Sequence, residues 1–320
     1  VADPRPDLVT LGEAMAVVRA AAIGPPRPGA TAEMSFAGAE ATVAIGVRRL
    51  GHSARWIGRL GADAFGDMIV AGLRAEGVGT GAVVRDPDRP TGLLVRHRRT
   101  ADRTSVAYYR HGGAGAALGP QDLPGDAAGA GRVLHLSGIT PALGDGPAEV
   151  VDDALAAARR TGARITFDVN FRRKLWPVQR ARPVLRRCVA AAGTVFAGAD
   201  EAALVLDLPE TTDPVVLARR LGELGPDEVV LKLGAAGALV LCGGTVVRAP
   251  AVPVTVADPV GAGDGFVAGY LSGLLDGLPA AGRLGRAVTC GAFAVSTVGD
   301  WEGLPTRAEL GLLDGADVVR

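Results

Sequence analysis

Residues 258–266 read DPVGAGDGF and set one carboxylate, Asp264, behind three small residues at the mouth of a helical pattern. The pattern is apolar in rows: Phe266, Tyr270 and Leu274, then Val267, Leu271 and Leu275, with Gly277 as a stop. That spacing predicts a buried helix beginning near residue 263. The first N–H groups of a helix have no partner within it, and Gly261, Ala262 and Gly263 would present theirs with no large side chain in the way. Such a turn is an anion hole. An Asp at this place is expected to be kept ionised by the positive helix end, which suits a base taking a proton from a hydroxyl that attacks a phosphoryl group. The alternative is a plain helix cap, a common role for Asp, and spacing alone favours it.

The elements that must position Asp264 follow an α/β rhythm. Short β-branched runs alternate with Ala- and Leu-rich helical stretches: DLVTLG, a helix near 40–50, ARWIGRLG and a helix near 64–75. The rhythm continues through RVLHLSG (132–138), a helix near 146–161, RITFDVN (164–170), a helix near 180–192, TVFAG and EVVLKLG (228–234). A mostly parallel sheet flanked by helices is expected. Ligands of such sheets gather beyond the carboxyl ends of the strands, where Ser137, Gly138, Asp168, Asn170 and Lys232 fall.

Two segments break the rhythm, roughly 14–37 and 91–110, the second around the polar turn TADR. They read as extra strands of a small β lid inserted into a single domain spanning 1–320, with a pair of surface hairpins as the alternative. The Gly- and Ala-rich stretch 112–131 reads as loops.

With 34 basic and 34 acidic side chains the formal net charge is zero, so no global field steers the chain to nucleic acid or to an acidic membrane. A small-molecule partner is expected. Cys188, Cys242 and Cys290 are odd in number and sit in apolar runs, as buried reduced thiols do, which points to the cytoplasm. VADPRPDLVTLGEAM has no basic n-region followed by an apolar one, and no uncharged apolar run reaches spanning length. No G-x-G-x-x-G follows DLVTLG, which argues against a nicotinamide-dependent oxidoreductase.

The passage VTVADPVGAGDGFVAGYLSGLLDG resembles the C-terminal signature of the ribokinase-like (PfkB) sugar kinases. FAGAEATVAIGVRRLG (36–51) and WIGRLGADAFGDMIVAGLRAEGV resemble the sugar-binding region of the same family. Within it, GAEATVAIG, RPTGLLVRHRR, VAYYR, LHLSGITPAL and FDVNFRRKLW are most similar to kinases of 2-keto-3-deoxygluconate. The resemblance implies a ribokinase-like fold with ATP and Mg²⁺. It makes Asp264 the base, and it gives the transferring phosphate to the amides of Gly261, Ala262 and Gly263. Gly38, Ala39, Glu40 and Thr42 are then brought to the sugar, with Tyr108 and Arg110 over it from the lid. Arg172 comes from the end of a core strand, and Asp300 bonds a sugar hydroxyl. A six-carbon keto acid needs cationic contacts for its carboxylate, and Arg110 and Arg172 meet that need.

For the nucleotide the resemblance implies Lys232, Gly234, Gly237 and Ala238, with Asn170 and Arg172 near the phosphates. Mg²⁺ keeps a water-rich shell, so no direct protein ligand is assigned to it. Departures from the family pattern are Gly198 where an Asn often precedes Glu201, Thr42 for another Asn, Pro259 and Val260 for a Thr pair, and Val288 near the adenine position. Fructose, another keto acid or a nucleoside are alternative acceptors, and a catalytically silent sugar- or nucleotide-binding regulator is the alternative of another class. Exposed edges of lid strands suggest a homo-oligomer in which the lids meet.

Overall fold

A computed structural model describes residues 5–100 and 103–313. Ala101 and Asp102, within the turn expected near residue 101, lie outside the described residues, as do the first four residues of the N-terminal stretch.

Among the described residues nine strands form the main sheet. In chain order they are β1 (Leu8–Leu11), β4 (Ala54–Gly61), β5 (Val83–Asp86), β8 (Val133–Ser137), β9 (Arg164–Asp168), β10 (Thr194–Gly198), β11 (Glu228–Lys232), β12 (Ala238–Cys242) and β13 (Thr245–Ala249). Their order across the sheet is β13-β12-β11-β10-β9-β8-β1-β4-β5, parallel except at the β11-β12-β13 edge. That edge is a hairpin. Gly243 and Gly244 both have φ near the left-handed region at its turn, as a tight two-residue connection requires.

Among the described residues eight helices cover the two faces: α1 (Ala39–Arg49), α2 (Ala64–Ala75), α3 (Asp145–Thr161), α4 (Val178–Ala191), α5 (Ala199–Leu206), α6 (Pro214–Gly222), α7 (Ala262–Leu275) and α8 (Ala280–Val295). The strands are apolar on both sides because both sides are covered. Val195 and Ala197 of β10 pack with α3, α4, α5 and α6, while Phe196 between them packs with α1, α7 and α8. Within the second layer α7 lies tight against α8, where a Cβ at Gly269 would come within 2.7 Å of the Arg286 carbonyl. The glycines of GFVAGYLSG are thus a packing requirement of α7. The stretch 112–131, expected as loops, instead forms three short 3-10 turns at Ala114–Ala117, Pro120–Asp122 and Ala127–Ala130. Single turns of this kind carry no long apolar period for a sequence pattern to show.

The two irregular segments make a second sheet of four strands, β2 (Met15–Ala20), β3 (Ala32–Ala37), β6 (Leu93–Thr100) and β7 (Arg103–Tyr109), in the order β3-β2-β6-β7. Met15, Val17, Ala37 and Leu94 form its small core, with Val106 against them. Its entry from the main sheet is fixed by Asp63, which caps α2 by accepting from Gly66 N–H at 2.8 Å and also accepts from Thr91 N–H and Oγ1, both at 2.8 Å.

Parallel register gathers polar strand ends on one edge. Ser137 stands opposite Asp168, and Gly198 opposite Lys232.

Candidate active site

A cavity of about 1300 Å³ opens between this edge and the small sheet. On one wall is the start of α7. Gly261 takes the cap position with φ +78°, and no side chain caps the helix. The first N–H with a partner inside the helix is that of Gly265, bonded to the Gly261 carbonyl at 2.8 Å, so those of Ala262, Gly263 and Asp264 have none there. Gly261 is forced by packing as well as by φ, since a Cβ would lie 2.2 Å from the Asp300 carbonyl oxygen. Gly263 differs: a Cβ there would meet only Lys232 Nζ, at 3.7 Å.

Asp264 is the third residue of α7, and its carboxylate has no hydrogen-bond partner among the described residues. It is therefore not the helix cap. Burial, the nearby Asp168 and, less, Glu40 push its carboxyl up to about 7, against the pull of Lys232 and Arg172. The helix end was expected to keep it ionised; desolvation and neighbouring carboxylates outweigh that. A carboxyl in that range can take up or release a proton near neutrality.

Lys232, at the end of β11, is tied to both oxygens of Asp168 at 2.8 Å. The Asp168 charge holds the ammonium protonated, with its titration raised despite burial. Glu201 lies beside it, its two oxygens accepting from Phe171 N–H at 2.8 Å and Gly198 N–H at 2.7 Å. These bonds cap α5 and pin the turn after β9, where Asn170 adopts φ +36° and faces the cavity.

The opposite wall belongs to the small sheet. Arg110 pairs with Glu13, a buried residue just past β1, and its guanidinium lies 5.9 Å from the Tyr108 ring centroid. Burial raises the Glu13 carboxyl, and Arg110 opposes that rise. Arg172 lines the cavity from the loop after β9 and is exposed. Asp300 reaches the cavity from the loop after α8, and burial lifts its carboxyl to about 7 against the nearby Arg96. At the floor Glu40 accepts from Ser137 Oγ at 2.7 Å and Thr140 Oγ1 at 3.0 Å, and its second oxygen is buried with no partner.

A model of the pfkB family carbohydrate kinases matches residues 5–307. The chain belongs to that family. It is 35% identical over 307 residues to a 2-dehydro-3-deoxygluconokinase of Bacillus subtilis (strain 168), covering 95% of this chain and 94% of that one. It is 37% identical over 307 residues to a 2-dehydro-3-deoxygluconokinase of Thermoproteus tenax, covering 94% and 92%. Among solved structures, the aminoimidazole riboside kinase of Salmonella enterica complexed with aminoimidazole riboside and an ATP analog superposes with a TM-score of 0.82 at 26% identity, over 97% of this chain and all of that one.

In this carbohydrate kinase, Gly38, Ala39, Glu40, Tyr108, Arg110, Asn170, Arg172, Lys232, Gly261, Ala262, Gly263, Asp264 and Asp300 share the cavity. Thr42, Gly234, Gly237 and Ala238 do not line it. Thr42 is buried in the first turn of α1. Gly237, with φ +89°, lies so close to the Ala249 carbonyl that a Cβ would come within 2.1 Å, and Ala238 is part of the core. Both serve the hairpin edge, while Gly234 is exposed at the 3-10 turn that precedes it. Glu13 and, just outside the cavity lining, Arg96 were not singled out from sequence, nor was the role of Asp168 as the partner of Lys232. Glu13 had a usable signal, since it follows β1 at the same strand edge that drew attention to Asp168.

Proposed function

We propose that this kinase transfers the γ-phosphoryl group of ATP to the terminal 6-hydroxyl of 2-keto-3-deoxygluconate. The observation that carries the reading is that Asp264, the open amides beside it and Lys232 line the same cavity as Arg110, Arg172 and Asp300.

The residues present fit a polyphosphate. The uncapped first turn of α7, the open face of Gly263 and the Lys232 ammonium offer donors and positive charge together. Glu201 is the carboxylate on this wall whose charge suits a phosphate-bound Mg²⁺ met through water. When bound, ATP and Mg²⁺ supply the phosphoryl group and neutralise part of its charge. The chain's own residues do the rest. Asp264 takes the proton of the attacking hydroxyl, and the amides of residues 261–263 with Lys232 stabilise negative charge on the transferring group.

Arg172 and Arg110 face the carboxylate of the acceptor, and Glu40 lines the same cavity beneath it. The small sheet acts as a lid that holds Tyr108 and Arg110 over the sugar and excludes water. Met34 and Tyr109, exposed on that sheet, and the edges of β3 and β7 suit a homodimer formed lid to lid. Cys188 and Cys290, buried free thiols pushed up to about 12 by desolvation, suit the reducing cytoplasm.

A coupled ADP-release assay across keto sugar acids, hexoses and nucleosides tests the acceptor. Turnover is expected to be fastest with 2-keto-3-deoxygluconate; a clear preference for fructose or a nucleoside would overturn the assignment.

A further inference from the structure

An ion pair outside the cavity lining joins the small sheet to the start of α7. Arg96 projects from β6 on the same face as Leu94 and is 5% exposed. Its Nη2 lies 3.2 Å from Asp258 Oδ2 and 3.7 Å from Asp300 Oδ2. Asp258 begins the turn that leads to Asp264, and it holds that turn by accepting from Val260 N–H at 3.2 Å and from Gly299 N–H at 3.4 Å. Asp300 in turn covers Gly261 with its backbone carbonyl. One guanidinium therefore grips both loops that frame the amides of residues 261–263.

Arg96 also belongs to the element that holds the acceptor contacts. In the β6-β7 register Leu94 pairs with Tyr108 and Arg96 with Val106, and Arg110 follows directly. A second attachment, Ser35 Oγ donating to Glu302 at 2.7 Å and Trp301 Nε1 to the Phe36 carbonyl at 3.1 Å, ties β3 to the loop near Asp300. It does not reach residues 258–261. Nη2 of Arg96 makes no well-formed hydrogen bond, so the cation is shared between two carboxylates instead of being locked to one. Buried ion pairs stabilise little beyond what apolar packing would provide, so a role in placement explains this one better than a role in stability.

We propose that Arg96 is a positioning residue for phosphoryl transfer, a tether by which the strand pair carrying Tyr108 and Arg110 sets the anion-hole turn and Asp300 in place. It touches no reacting atom. The inference rests on reading the amides of residues 261–263 as the phosphate site.

The test compares Arg96→Gln, Arg96→Lys and Arg96→Ala in the full chain, with ATP and 2-keto-3-deoxygluconate. Arg96→Gln is expected to lower kcat about a hundredfold while KM for ATP stays within roughly threefold, the pattern of misplacement without lost nucleotide binding. Arg96→Lys, which keeps a cation on the strand, recovers at least about tenfold of that loss. Hydrogen exchange in peptides covering 93–100 and 256–263 speeds up together in Arg96→Gln. Free guanidinium does not restore Arg96→Ala, because a loose cation returns the charge without the tether.

Wild-type kcat in Arg96→Gln, a loss that vanishes when rates are normalised to folded protein, or recovery with guanidinium would each overturn the proposal. If Arg96→Gln does not fold, Arg96→Lys decides: lowered kcat at unchanged KM for ATP and faster exchange at 256–263 supports the tether, and wild-type values of both contradict it. If wild type does not turn over this acceptor, the acceptor assignment fails instead, and the exchange comparison still tests Arg96.

Discussion

The Lys232 ammonium lies 2.8 Å from both carboxylate oxygens of Asp168, and it does so beside the open turn that begins α7. The pair holds a cation at the cavity wall before any anion arrives. Removing the cation leaves Asp168, which is 1% exposed, as a buried charge without its partner. Because Lys232 itself is partly exposed, the loss belongs at the low end for buried pairs: Lys232→Met is expected to cost about 3 kcal/mol of unfolding free energy. Urea denaturation measures that cost, and a rise in KM for ATP measures the loss at the phosphate. An unchanged midpoint and unchanged KM would show that the pair is ornamental.

Gly261 and Gly263 are expected to respond differently to the same methyl group. Gly261→Ala meets the Asp300 carbonyl at a left-handed φ, so it destabilises the protein by at least about 1–2 kcal/mol through strain alone. Gly263→Ala meets only Lys232 Nζ at ordinary contact distance and should melt like wild type. Its methyl crowds the proposed phosphate site instead, and kcat is expected to fall about a hundredfold, as when an anion-hole donor is lost. Thermal melts paired with steady-state rates separate the two. A Gly263→Ala enzyme with wild-type turnover would remove these amides from the phosphate site.

The pH dependence follows from Asp264. Its folded pKa is raised to about 7 from an unfolded value near 3.8, and in the proposed mechanism the ionised form is the base, so kcat/KM should rise with pH through about 7 and level off above. The same shift has the opposite sign for stability. The folded protein binds the proton more tightly than the unfolded chain, so stability is lost as pH rises from the unfolded value through the folded one. Asp264→Asn should therefore raise the melting temperature, and more at about pH 8 than at about pH 5. A melting temperature that falls on this substitution at both pH values would contradict the desolvated, unpartnered carboxylate described above.

Arg172 and Arg110 should differ in what they lose. Arg172 has no ion-pair partner among the described residues, whereas Arg110 is already neutralised by Glu13. Arg172→Gln is expected to raise KM for a keto acid by roughly tenfold to a hundredfold, the size of a lost charged hydrogen bond, with little effect on a neutral sugar. Arg110→Gln also strands Glu13 in the core, so it should lower the melting temperature as well. Kinetics on paired acidic and neutral acceptors, with melts alongside, resolve the two effects. Equal losses on both acceptor types would remove Arg172 from carboxylate recognition.

The parallel sheet was legible in the sequence because its strands and helices keep their own periods, and the start of α7 was legible because glycines and an apolar row leave few other readings. Side-chain partnerships were not. Arg96 lies in RHRR, where nothing local sets it apart from its neighbours until the fold of the small sheet turns it inward onto Asp258. Glu40 and Thr42 share one motif, GAEAT, but helix α1 turns the first toward the cavity and the second into the core. Gly237 and Ala238 follow Lys232 closely in sequence, yet the chain reverses into β12 and carries them away from the cavity wall. In each case the deciding fact is a contact between residues far apart in the chain, which local pattern does not encode.

The most direct test of the central claim is ADP release by wild type and by Asp264→Asn, with ATP, Mg²⁺ and 2-keto-3-deoxygluconate, and with ³¹P NMR of the product. Wild type should release ADP in step with acceptor consumption and yield a phosphate ester whose phosphorus couples to the two protons of carbon 6. Asp264→Asn should be slower by about 10²–10⁴-fold, the usual contribution of a general base, with KM for ATP little changed. Equal ADP release by the two proteins, or a product phosphorylated elsewhere, would contradict Asp264 as the base acting on the terminal hydroxyl.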